Sequence, residues 1–166
     1  KKNMRRAYHY TRPSNWREIQ KSGFLEPRTK LVDPGLHIVL NLEVPAIPFL
    51  RFTFALLDTP EPDSWKESGQ LEALLTNRID TISVALISFP LNYEKTFVVD
   101  RTPILYVGRR ILDRRTALKR YHESMVQMTD YRDNYAVPEL LIAERISLER
   151  IRFEGTLKPN RPPQYF

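Results

Sequence analysis

The stretch Thr81-Ile82-Ser83-Val84-Ala85-Leu86-Ile87-Ser88-Phe89, closed by Pro90, decides how this chain is read. It is rich in β-branched residues, which suit a pleated surface, and proline cannot donate to a ladder, so the run predicts a strand ending at Pro90. It is expected to be central.

Working toward the N-terminus, Asp58 to Ser64 brings prolines and acidic residues together and reads as a loop. Trp65, Leu71, Leu74 and Leu75 then predict a short helix despite Gly69. Phe49-Leu50-Arg51-Phe52-Thr53-Phe54 has period two, with Arg51 on the face of Phe49 and Thr53, either solvated or lining a pocket. Residues 26–48 hold Pro27, Pro34, Pro45 and Pro48 and are mostly loop, with Leu36-His37-Ile38-Val39-Leu40 as the strand candidate inside it. At the start, residues 5–11 predict a strand that Pro13 ends. Ser14 or Asn15 can cap the helix that follows, Glu18 completes a capping-box-like start with Asn15, and Gly23 supplies the left-handed stop.

Toward the C-terminus, Phe97-Val98-Val99 and Ile104-Leu105-Tyr106-Val107 are short strand candidates. Thr116 to Met128 predicts a helix with Leu118, Tyr121, Met125 and Met128 on one side. Pro138 precedes an extended Glu139 to Ile142, Arg150 to Glu154 reads as a last strand, and Lys158 to Phe166 as a loosely packed tail. Strands that do not alternate regularly with helices argue for an α+β fold rather than a doubly wound sheet. The expected organisation is one domain over residues 1–157 with a tail at 158–166.

Composition narrows the chemistry. The chain has 166 residues and 42% hydrophobic content, enough for a real core. With no cysteine, disulfides, zinc–cysteine sites and thiol catalysis are excluded here, and three scattered histidines predict no metal site. No apolar run approaches a membrane span and the first residues are too polar for a signal-peptide core, so a cytoplasmic protein without a membrane partner is expected. There is no Gly-x-Gly-x-x-Gly and no Walker loop among only five glycines, so a dinucleotide would not sit on a Rossmann turn. The net charge of +6 favours an anionic partner, either a nucleic acid or the pyrophosphate of a dinucleotide. Much of the excess lies in Arg101, Arg109, Arg110, Arg114, Arg115, Lys119 and Arg120, which a solvated helix face explains at least as well as a binding patch.

Two short segments carry chemistry. In Tyr8-His9-Tyr10-Thr11, His9 and Thr11 share one strand face and can hydrogen-bond one ligand together. In Val137-Pro138-Glu139-Leu140-Leu141-Ile142, Glu139 points the opposite way from Leu140 and Ile142, which would aim a carboxylate from an apolar strand into a cleft. Such a carboxylate stabilises the ribosyl cation formed when the bond from ribose to nicotinamide breaks. The alternative is an exposed strand start after Pro138. His37 and His122 lack a comparable neighbour and read as structural.

These segments resemble those of a known family. Tyr8-His9-Tyr10-Thr11 followed by Asn15-Trp16-Arg17-Glu18-Ile19-Gln20-Lys21-Ser22-Gly23 is similar to the opening of ADP-ribosyltransferase-fold proteins, a His-x-Thr strand running into a short helix that ends in glycine. Pro138-Glu139-Leu140-Leu141-Ile142, with Ile146, Leu148 and Ile151 after it, resembles the catalytic-glutamate strand, nearest in pattern to the DNA-targeting ADP-ribosyltransferase toxins. The resemblance covers the two ends and hardly the middle. It implies a mixed β core, a split sandwich, with short flanking helices, and a mono-ADP-ribosyltransferase that consumes NAD as substrate without a metal. Glu139 would be catalytic, and His9 and Thr11 would contact the ribose and the nicotinamide amide, with Tyr10 packing beneath the ring. Arg28 or Arg51 would meet the NAD phosphates, and Tyr106, or less readily Tyr121, would form a second aromatic wall.

Arg109, Arg110, Arg114 and Arg115 would guide a nucleic-acid acceptor, although a protein acceptor or plain NAD hydrolysis also fits the resemblance. An antitoxin or immunity partner follows from the likeness to toxins. Val137 stands where arginine-modifying members carry Glu or Gln, which counts against an arginine acceptor. A rival class is a non-catalytic nucleic-acid-binding module in which Tyr8, Tyr10, Phe49, Phe52 and Phe54 stack on bases. A third is a catalytically inactive member of the same fold that serves as an interaction domain.

Overall fold

A computed structural model describes residues 4–30, 51–73, 75, 83–108 and 110–158. The expected strand at residues 36–40 with His37, the residues Phe49, Leu50 and Leu74, the strand start at 81–82, Arg109 and the tail beyond residue 158 lie outside the described residues. The architecture is α+β, mostly antiparallel strands with a few short helices. Two compact units are built from interleaved segments. The first comprises Lys1–Glu26, Ala55–Leu91 and Arg145–Phe166, and the second comprises Pro27–Phe54 and Asn92–Glu144.

The first unit is organised by β5 (Val84–Pro90). Antiparallel β1 (Arg6–Thr11) pairs along one side, with His9 opposite Ile87, and β10 (Arg152–Leu157) pairs along the other, with Phe153 opposite Ile87. β1 in turn pairs with the end of β4 (Arg51–Leu57), Ala7 opposite Leu57. Six consecutive residues of β5, Val84 to Phe89, are buried. A strand flanked on both edges and covered on both faces needs such continuous apolar character, and each large side chain fully buried contributes about 1.5–3 kcal/mol. β5 is therefore an interior strand, one in from the β10 edge and not the central one the sequence predicts, with Pro90 as its last residue.

Helix α1 (Pro13–Ser22) begins earlier than the Asn15 capping box predicts. Pro13 takes the first turn, where its missing N–H costs nothing, and Arg12 precedes it in extended conformation without a side-chain cap. Pro13 thus ends β1 and starts the helix. The stop is as expected: Gly23 has φ 85°, and its N–H donates to the Ile19 carbonyl at 2.8 Å. Short β2 (Phe24–Leu25) pairs with β9 (Ile146–Ser147). The expected single helix near Trp65 is two, α2 (Asp63–Glu67) and α3 (Gln70–Ala73), separated at Gly69 with φ 74°. The fully buried Trp65 anchors them. Arg152–Leu157 replaces the expected 150–154 strand, because Leu148–Arg150 forms a 3-10 turn first.

In the second unit β3 (Thr29–Lys30) pairs with the start of β4, and β6 (Thr96–Asp100) lies between β7 (Val126–Gln127) and β8 (Pro138–Ile142), all antiparallel. The strand expected at 104–107 is instead helix α4 (Thr102–Gly108). Asp100 Oδ1 accepts hydrogen bonds from the Thr102 backbone at 3.0 Å and hydroxyl at 2.6 Å, and the Arg101 carbonyl accepts from Ile104 N at 3.0 Å. Helix-start chemistry at 100–103 outweighs a four-residue apolar run whose periodicity cannot separate strand from helix.

Helix α5 (Arg114–Glu123) is capped by Asp113 and stops at Ser124, so Met125 and Met128 of the expected helix belong to the segments after it. Phe52, Val99, Tyr121 and Leu141 form the core of this unit. Among the described residues, no helix is long and apolar enough to cross a membrane.

Candidate functional site

Glu139 is the one buried carboxylate among the described residues, 1% exposed on a strand where Leu140, Leu141 and Ile142 are also buried. This burial overturns the exposed strand start. Its Oε2 accepts from Arg101 Nη1 at 3.0 Å, and its Oε1 accepts from the Tyr121 hydroxyl at 2.6 Å.

The backbone dictates this meeting. Val99 on β6 faces Glu139 on β8, and Arg101 N donates to the Val137 carbonyl at 2.9 Å, carrying the ladder past the end of β6. Tyr121 comes from the buried side of α5. The C-terminal end of that helix is tied to β6, because the Ser124 hydroxyl accepts from Asp100 N at 2.8 Å and donates to the Tyr121 carbonyl at 2.6 Å. Tyr135 donates its hydroxyl to the Ser124 carbonyl, and burial and then Asp100 push its pKa up. His122 is buried and meets the Tyr121 ring edge-on at 5.5 Å.

Arg101 corrects the charge reading: it is buried at 8% exposure and neutralises Glu139, so it does not belong to a surface basic patch. The sequence signal for it was indirect. A carboxylate on an apolar strand requires a counter-charge, but nothing local says which arginine supplies it. Tyr121 belongs to the core, and its hydroxyl also serves the carboxylate.

In the first unit, His9 and Thr11 lie on one face of β1, with Thr11 buried. His9, Ile87 and Phe153 form one cross-strand row on that face, and Trp16 of α1 stacks on Phe153 with ring centres 5.5 Å apart, which places α1 over the same side. Tyr10 is on the other side. Its hydroxyl donates to the Pro60 carbonyl at 2.6 Å, and burial, with Glu61 next, raises its pKa well above the ordinary value. Tyr10 and Phe52 are buried, so neither is an exposed base-stacking residue.

The opposite face of β1 also carries a polar cluster that the sequence did not announce. Arg6 Nη2 donates to the buried Ser88 hydroxyl at 2.9 Å, and that hydroxyl donates to Glu154 Oε1 at 2.5 Å. The Ser88 hydrogen bond first, then Arg152, holds the Glu154 carboxyl below its usual range.

Arg28 and Arg51, the two phosphate-contact candidates, are exposed neighbours: Arg51 Nη1 donates to the Arg28 carbonyl at 3.1 Å. Tyr106 lies half-buried on α4, and its carbonyl accepts from Ile111 N at 2.9 Å. Arg110, Arg114 and Arg115 are exposed before and at the start of α5. Asp113 opposes them, but its carboxylate is engaged by the Thr116 backbone at 2.8 Å and hydroxyl at 2.7 Å, which holds its pKa low. Among the described residues no cluster of His, Asp or Glu is arranged to hold a metal ion. No family model, curated protein or solved structure matches the chain.

Proposed function

We propose that this protein is an NAD-consuming mono-ADP-ribosyltransferase of the ADP-ribosyltransferase fold, with Glu139 as its catalytic carboxylate. The observation that carries the reading is the burial of that single carboxylate on an apolar strand, paired with Arg101 and Tyr121. Burying a charge is costly, and a carboxylate kept in a core despite that cost marks a functional candidate. In the proposed step the bond between ribose C1′ and nicotinamide nitrogen breaks and its electron pair leaves with nicotinamide. The carboxylate offsets positive charge growing on the ribose, and an acceptor nucleophile bonds to C1′ and gives up its proton. Arg28 or Arg51 would meet the pyrophosphate. The exposed Arg110, Arg114 and Arg115 suit an anionic acceptor, a nucleic acid or an acidic protein.

The test is incubation of the protein with NAD labelled in its adenosine half and, separately, single-stranded DNA, RNA, protein or buffer alone. Mass gain of one ADP-ribosyl group on an acceptor, with free nicotinamide, is expected; label appearing only as free ADP-ribose identifies a glycohydrolase. Intact NAD in every mixture refutes the proposal. One observation favours a second reading: both oxygens of Glu139 are occupied and its charge is neutralised, which also suits a structural ion pair in a non-catalytic nucleic-acid-binding domain. NAD left intact together with salt-dependent binding of nucleic acid selects that reading.

A further inference from the structure

We infer that Arg101 and Tyr121 are positioning residues that set the turnover of NAD by fixing the orientation of the Glu139 carboxylate, without contacting the substrate themselves; this rests on the function proposed above. The two partners grip different oxygens, Arg101 at Oε2 and Tyr121 at Oε1, so the carboxylate plane cannot rotate without breaking one contact. An ionised carboxylate has about four acceptor directions, and the pair uses two of them, leaving acceptor capacity for a ribose hydroxyl or a developing cation.

Each partner is itself fixed by backbone structure. Arg101 continues the β6–β8 ladder through Val137, and its carbonyl starts α4. The Tyr121 carbonyl is bound by the Ser124 hydroxyl, which also holds Asp100 N, and Tyr135 holds the Ser124 carbonyl. The Tyr121 ring packs in the core with Phe52, Val99 and Leu141, and His122 meets it edge-on. The residues around the carboxylate are therefore locked before any substrate arrives, as a group that must act without reorganising requires.

The experiment measures nicotinamide release from NAD between pH 5 and 9 for wild type, Tyr121→Phe and Arg101→Lys, below the unfolding temperature of each. Tyr121→Phe removes one hydrogen bond and little volume, so it keeps the test usable if Arg101→Lys does not fold. The expected result is a roughly ten- to hundredfold fall in kcat with KM within about twofold, because orientation and not binding is lost.

A Tyr121→Phe protein with wild-type kcat and KM but lower Tm makes the trio structural only and overturns the inference, while leaving NAD cleavage intact. A rise in KM with kcat unchanged overturns it as well. Wild type that releases no nicotinamide removes the proposed function and this inference together, and that failure is recognised before any variant is compared.

Discussion

Removing the Arg101 charge should unfold this protein more readily than any comparable surface change. Glu139 and Arg101 have side chains 2% and 10% exposed, so Arg101→Met leaves a carboxylate desolvated and without its counter-charge. Breaking a buried pair from one side costs about 3–5 kcal/mol, whereas an exposed ion pair contributes only about 0–1. For a chain of this size each kcal/mol moves Tm by about 2–4 °C, so the expected fall is roughly 6–20 °C. Tyr121 limits the loss by keeping its hydrogen bond to Oε1. The diagnostic comparison is the double variant Arg101→Met with Glu139→Gln, which removes both charges, preserves an acceptor for Tyr121 and should recover most of the loss. Thermal and urea unfolding of wild type, both single variants and the double variant give the full cycle. A loss under about 1 kcal/mol in Arg101→Met would show that solvent screens the pair. A double variant no more stable than the single would show that the charges are not coupled. Either result refutes the buried-pair argument.

Other parts of the molecule give independent tests. Tyr10 has its pKa raised by burial, so above the ordinary tyrosine value, about 10, the unfolded chain releases a proton that the folded one keeps. Stability is therefore full below that pH and falls as pH rises past it. Tyr10→Phe should remove part of the fall in denaturant unfolding, leaving the part owed to Tyr135. Gly23→Ala should cost about 1 kcal/mol by urea unfolding from backbone strain alone, because φ is 85° and an added Cβ meets no atom within 4 Å. Replacing Arg110, Arg114 and Arg115 by Glu should weaken association with single-stranded DNA and flatten its dependence on salt in fluorescence titrations, leaving nicotinamide release unchanged. Equal affinity at every salt concentration would reduce those arginines to ordinary surface.

The legible parts of the fold were those set by local chemistry. β5 announces itself by an apolar, β-branched run, and the end of α1 by Gly23, because a left-handed stop needs glycine wherever the helix packs. The start of α1 was misplaced because Asn15 and Glu18 imitate a capping box while Pro13 already fits the first turn. Helix α4 was illegible for a similar reason: Ile104 to Val107 has no period to read, and the deciding signal lies upstream in the side chain of Asp100. At the candidate site Glu139 was legible because a carboxylate interrupts an apolar strand. Its surroundings were not, since Arg101 is 38 residues away and Tyr121 18, and charge counting cannot tell an arginine destined for the core from one bound for solvent.

The central claim is that Glu139 drives cleavage of NAD, and the most direct measurement is the single-turnover rate of nicotinamide release by wild type and Glu139→Gln under conditions where both are folded. Glutamine keeps the size of the side chain and an acceptor for Tyr121 but no charge, so the rate should fall by about 10²–10³ while Arg101→Lys retains measurable turnover. A folded Glu139→Gln protein that releases nicotinamide at the wild-type rate contradicts the assignment and leaves the Arg101–Glu139–Tyr121 trio as a feature of the core alone.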